Sequence, residues 1–220
     1  MELPSSVAIV AMGKTGRMDI SGYEYVIGIN NTHAQFDIRP DIIVAMDDLE
    51  RDEKTEPDYV DAIVNAGCPV LSTRRFRKWP SVQPYPIEAI TKYLENTTSL
   101  PAHKFLDNSI CYATALCLFH GVKKIALCGV DLTPPYNRRG LKAAMERWKR
   151  KGYGHAPDWF SHYDRDVLVD RRPRECGWES LHFLIGFGTA RWVEFEWGED
   201  STILNMDRQK FYYGYQKDPI

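Results

Sequence analysis

The stretch from Asn108 to Asp131, NSICYATALCLFHGVKKIALCGVD, decides the fold. Asp107-Asn108-Ser109 is a polar turn that can cap a helix and leave its first N–H groups facing an anion. The apolar run from Cys111 to Phe119 predicts a buried helix, and His120-Gly121 ends it because Gly accepts the left-handed conformation of a C-cap. Ile125-Ala126-Leu127-Cys128 then reads as a short buried strand running into Gly129-Val130-Asp131. A helix feeding a wholly apolar strand belongs to an open α/β sheet, where ligands lie beyond the strand ends. Asp131 therefore stands at the edge of a predicted site.

Working outward, further strands are expected at Val7–Val10, Tyr25–Ile29, Ile42–Met46 and Val70–Leu71. Helices are expected near Tyr59–Ala66, Ile87–Glu95, Ser109–Phe119 and Gly177–Phe187, with a last strand at Trp192–Phe195. Alternation of this kind predicts an α/β fold, a Rossmann-like and mainly parallel sheet with helices on both faces. At 220 residues the chain suits a single domain over 1–220. Residues 134–170, rich in Tyr, Trp, His, Arg, Gly and Pro, read as an irregular lid after the fifth strand.

The formal charge is −2, so net electrostatics argue neither for nor against nucleic acid. Three basic clusters stand out: Arg74 to Lys78, Arg147 to Lys151 and Arg171 to Arg174. They are ordinary as solvated faces, and they leave nucleic acid open as a partner. Five cysteines without a CxxC pair read as reduced core thiols, as expected in the cytoplasm. No apolar run approaches the ~18 residues of a membrane span, and no secretory leader is recognisable, so no membrane role is expected.

Gly13-Lys14-Thr15 follows the first strand. The phosphate-loop pattern would need a Gly five residues before Gly13, where Ala8 stands, and GxGxxG is absent. What remains is a Gly-bracketed turn offering N–H groups, a Lys and a Thr to a phosphate, or a plain strand-to-helix turn. Asn30-Asn31 follows the second strand; such a pair can hydrogen-bond a sugar or base, and is equally a good turn former. Asp47-Asp48 closes the third strand, where two carboxylates suit Mg²⁺ or Mn²⁺ on a diphosphate, or simply a helix cap. His155, Asp158 and His162 fit no standard zinc spacing. His155 and His162 are candidates for general acid/base work from the lid. Glu179 is another candidate base, although an acidic residue in a first helical turn is also ordinary dipole chemistry.

Taken in order, VAMGKTG (10–16), VIGINN (26–31), RPDIIVAMDD (39–48) and the segment from Asn108 resemble the core of a known superfamily. It comprises the bacterial sialyltransferases of lipo-oligosaccharide synthesis and the flagellin-modifying glycosyltransferases related to them. The series is also similar to the archaeal-type 6-hydroxymethylpterin pyrophosphokinases and to phage proteins of the same clan. The resemblance covers roughly Val7–Asp131, with an echo at Asp200–Leu204. It implies a nucleotide lying across the strand ends, held by the glycine turn (Gly13, Lys14, Thr15), by Asn30 and Asn31, and by the turn Asn108-Ser109. Ile110 stands where the family usually has Gly. The catalytic His of the sialyltransferases, at the start of a late helix, is replaced by Cys176-Gly177-Trp178-Glu179, which leaves Glu179, His155 or His162 as the base.

The expected function is a glycosyltransferase taking a nucleotide sugar as donor, with a glycan, a small molecule or a DNA base as acceptor. Two alternatives stay open. One is a pterin-type pyrophosphokinase holding Mg²⁺ and ATP on Asp47, Asp48 and Asp131. The other is a nucleotide-binding protein without catalysis.

Overall fold

The computed structural model describes residues 2–12, 19–99, 101, 106, 108–130 and 178–197. Seven strands form one sheet: β1 (Ser6–Val10), β2 (Tyr25–Ile29), β3 (Ile42–Val44), β4 (Val70–Ser72), β5 (Val82–Pro84), β6 (Lys124–Cys128) and β7 (Glu194–Trp197). Their order is β5-β4-β3-β2-β1-β6-β7, and each neighbouring pair is parallel. The helices are α1 (Thr32–Phe36), α2 (Leu49–Glu53), α3 (Pro57–Val64), α4 (Ile87–Thr98), α5 (Ser109–Phe119) and α6 (Trp178–Thr189). The α/β parallel sheet expected from the strand–helix alternation is therefore present. The four strands read most clearly, β1, β2, β3 and β6, lie side by side at its centre.

The sheet is buried on both faces because its strands are apolar at successive positions rather than at alternate ones. Val7, Ile9, Ile27, Ile29, Ile42, Val44, Ile125 and Leu127 face one layer, built from α4, α5 and α6. Ile43, Val70 and Val82 turn to the other side, against Leu49 of α2 and Val60 and Ile63 of α3. Ala8, Val10, Ala126 and Cys128 continue that second face, packed with Ile20, Tyr23, Val26 and Ile38. Each residue of a strand thus changes face from its neighbour, as the pleat requires.

Helix α5 is the pillar of the first layer. Asn108 caps it, its Oδ1 accepting from the Cys111 N–H at 3.0 Å. At the other end Gly121, at φ 72°, closes it: the Gly121 N–H donates to Leu118 O and the Val122 N–H to Cys117 O, each at 3.1 Å. That is a Schellman closure, which needs the left-handed residue. Seven residues of α5, from Cys111 to Leu118 with Tyr112 excepted, are buried. A helix apolar all round must be covered all round. The sheet and helices α4 and α6 do this, and Tyr85 and Tyr93 reach in to donate to the carbonyls of Tyr112 and Leu118.

Close packing of α6 depends on Gly188. A Cβ there would lie 2.7 Å from Phe195 Cε2 and 2.9 Å from Leu118 Cδ2. Alanine favours a helix by ~1 kcal/mol over glycine, whereas forcing a methyl into a filled space costs ~1–3 kcal/mol. Gly188→Ala is therefore expected to destabilise the protein by about 1 kcal/mol, read from urea melts; a stabilised variant would show that α6 can shift outward freely.

The cysteines follow the expected pattern among the described residues. Cys111, Cys117 and Cys128 are buried, and no disulfide forms among the described residues. Burial, with the Glu196 charge, pushes the Cys128 thiol up to about 12, so it stays protonated and inert. No helix among the described residues is long and apolar enough to cross a membrane. Residues 134–170, read as a lid, lie outside the described residues.

Candidate functional site

Strand order fixes where a site can form. From β1 the chain steps through β2, β3, β4 and β5 to one side, and then returns to place β6 on β1's other flank. The strand order thus reverses between β1 and β6, and in open parallel sheets such a switch point is where ligands bind, beyond the C-terminal ends of the strands. Ala11 closes β1 by donating its N–H to Cys128 O at 2.7 Å. Beyond it Met12 is 46% exposed. On the β6 side Gly129 turns at φ 65° and Val130 is buried.

Helix α5 runs back along the sheet, so its N-terminus arrives at this same edge. The Ser109 hydroxyl accepts from the Met46 N–H at 3.2 Å, which ties the first turn of the helix to the end of β3. The first N–H groups of a helix lack partners within it and carry a positive dipole end. Asn108 spends its Oδ1 on one of them, the Cys111 N–H. Both residues are half-buried.

Asn30 and Asn31 occupy the next position along the edge, where β2 gives way to α1. Asn30 is in the left-handed region at φ 57°, and its N–H donates to Val44 O at 3.1 Å. Asn31 precedes α1 without a side-chain capping bond. The hydroxyl of buried Thr32 donates to Ile29 O and pins this turn.

At the end of β3 the two carboxylates separate. Asp47 Oδ2 accepts from the Tyr59 hydroxyl at 2.7 Å, and burial together with the Asp47 charge holds that phenol well above its ordinary range. Asp48 caps α2, accepting from the Arg51 N–H at 3.3 Å, and lies 3.7 Å from the Arg74 guanidinium. Arg74 pairs more closely with Glu50, at 2.7 Å. Among the described residues no three of His, Cys, Asp and Glu gather to hold a metal ion. A cation on Asp47 and Asp48 would have to compete with Tyr59 and Arg74 for the same oxygens.

The structure thus brings Asn30, Asn31, Asp47, Asp48, Asn108 and Ser109 to one edge of the sheet. Gly13, Lys14, Thr15, Asp131, His155 and His162 lie outside the described residues. Glu179 falls in the first turn of α6, and its side chain is likewise outside them. Sequence reading did not single out Ser72, His33 or the Tyr59–Asp47 bond. Ser72 carried a visible signal, a hydroxyl residue closing the apolar pair Val70-Leu71; the Tyr59–Asp47 bond had none, since it joins two elements through space.

Comparison with protein-family models, with curated proteins and with solved structures returns no match in any of the three.

Proposed function

We propose that this chain is a glycosyltransferase that takes its sugar from a nucleotide donor. One observation carries the reading: the α5 N-terminus is fastened by Ser109 to the end of β3, at the ligand-facing edge of a parallel sheet. The nucleotide phosphates lie toward that helix end and the glycine turn after β1, and the nucleoside along Asn30 and Asn31. Direct displacement at the anomeric carbon then requires a base for the acceptor hydroxyl, a role assigned to His162, with His155 and Glu179 as the other candidates. Transfer sends the hydroxyl proton to that base and the bonding electron pair to the leaving phosphate.

The metal-dependent alternative, a pyrophosphokinase, needs carboxylates free to neutralise ATP through Mg²⁺. Asp47 and Asp48 instead have protein partners in Tyr59, Arg51 and Arg74. Asp47→Asn keeps an acceptor for Tyr59, and Asp48→Asn keeps a good helix cap. Each is expected to leave turnover within about threefold of wild type and to leave it insensitive to EDTA; loss of all turnover in either condition would select the pyrophosphokinase.

The deciding experiment is a thermal-shift screen of nucleotides and nucleotide sugars, followed by a test for donor hydrolysis and transfer. A ligand at one hundred times its Kd adds ~2.7 kcal/mol to stability. A nucleotide sugar that shifts the melt and is turned over supports the transferase. A shift without turnover supports a nucleotide-binding protein, and no shift with any of them removes the reading.

A further inference from the structure

Among the described residues, four shielded side-chain atoms have no hydrogen-bond partner: Asn30 Oδ1, Asn31 Oδ1, His33 Nδ1 and Ser72 Oγ. Buried polar atoms are nearly always paired, so each of these calls for an explanation. Imperfect packing would scatter such atoms through the molecule. Instead all four sit at the C-terminal ends of β2 and β4 or in the first turn after β2. Ser72 is fully buried, at 0% exposure.

The register brings these elements together. Ile29, Val44 and Leu71 are matched across β2, β3 and β4. Asn30 and Ser72 each stand one residue further on, two strand spacings apart, roughly 9.5 Å between backbones. The first turn of α5 meets the end of β3 between them, through Ser109 and Met46.

The chemistry of the group is specific. Two amides, an imidazole and a hydroxyl offer both acceptors and donors and no fixed positive charge. The cation that follows Ser72 most closely, Arg74, is engaged by Glu50 and Asp48. The four side chains therefore supply no fixed cation to neutralise a phosphate, which the proposed reading places at the α5 N-terminus instead. Hydroxyl groups of a sugar ring suit it, because each both donates and accepts.

We infer that Asn30, Asn31, His33 and Ser72 form a subsite for an uncharged polyhydroxyl ring. The inference rests on the proposed nucleotide-sugar reading for the source of the ring, which is either the ribose of the nucleotide or the sugar being transferred. The unpaired atoms are then the free protein's half of the hydrogen bonds made on binding.

The test uses two variants chosen to leave the backbone at ease. Asn30→Gly removes an amide where the chain is left-handed, and Ser72→Ala removes one hydroxyl. The probes are adenosine, guanosine, cytidine and uridine, each beside its 2′,3′-dideoxy counterpart, and glucose, galactose and N-acetylglucosamine, measured by calorimetry on the full chain. Neither free variant should melt below wild type, since each loses an unpaired polar group. A ribonucleoside should bind at least tenfold more tightly than its dideoxy form if the ring is ribose, and a free hexose should bind if it is the transferred sugar. Each variant should weaken that probe at least tenfold.

The subsite is overturned if both variants melt lower and bind the probe as wild type does, the result expected if ordered water alone fills the group. It also falls if ribo and dideoxy forms bind alike and no hexose binds. In that case nucleotides that still bind through their phosphates would leave the nucleotide reading standing. Hexose binding lost in Ser72→Ala, with no nucleotide bound, would keep the subsite and remove the nucleotide. Binding of none of the probes, with no nucleotide bound, removes both.

Discussion

Ser109→Trp is expected to weaken nucleotide binding at least a hundredfold in a protein that still folds. Ser109 opens α5 at the ligand-facing edge and is half-buried, so an indole in its place occupies the space in front of the helix N-terminus. A hundredfold loss is about 2.7 kcal/mol of binding free energy. The folded state loses one neutral hydrogen bond, between Ser109 Oγ and the Met46 N–H. Such a bond contributes ~0.5–1.5 kcal/mol, against a total stability on the order of 5–15 kcal/mol. Ser109→Ala separates the two effects: it gives up the same bond without adding bulk, and its affinity should stay within a few-fold of wild type. Calorimetric titration of both variants, each with a thermal melt, is the measurement; a folded Ser109→Trp that binds nucleotide as wild type does would move the ligand away from this helix end.

The second large effect falls on stability. Leu116→Ala is expected to cost ~2–5 kcal/mol, because the side chain is fully buried in a layer covered from every direction. At this chain length each kcal/mol lowers the melting temperature by ~2–4 °C. The same change at a half-buried site of α5, Ile110→Ala, should cost clearly less. Urea unfolding monitored by far-UV circular dichroism compares them, and equal losses would mean that α5 is not packed as described.

The parts of this fold that could be read in advance are those whose signals are local. Helix α5 was legible from Ser109 to Phe119 because a capping Asn stands before it and a Gly after it. β1, β2, β3 and β6 were legible because each is an unbroken apolar run closed by polar or small residues. Strand β5 escaped, since Val82–Pro84 is three residues long and contains a proline, tolerable at the sheet edge where it lies. Helices α1 and α2, five residues each, are too short to show a period. At the candidate site Asn30, Asn31, Asp47 and Asp48 could be picked out by their place after a strand, whereas Ser72 was passed over. Which residues retain free hydrogen-bonding capacity could not be read, because Asp47, in the loop after β3, bonds Tyr59 of α3 while Ser72 keeps its hydroxyl free.

The central place of β1 has a consequence for how the molecule comes to be made. β1 pairs with β2 early in the chain, but its other neighbour is β6, so that Val10 waits for Cys128. During synthesis from the N-terminus, β1 to β5 can assemble as a half-sheet while one flank of β1 keeps its row of N–H and C=O groups bare. A bare apolar edge templates pairing with another chain, and long-range parallel pairing is slow to form. The interval between completing β5 and delivering β6 is therefore the hazardous part of this protein's biogenesis, and chains cut short before β6 are the form in which it would clump.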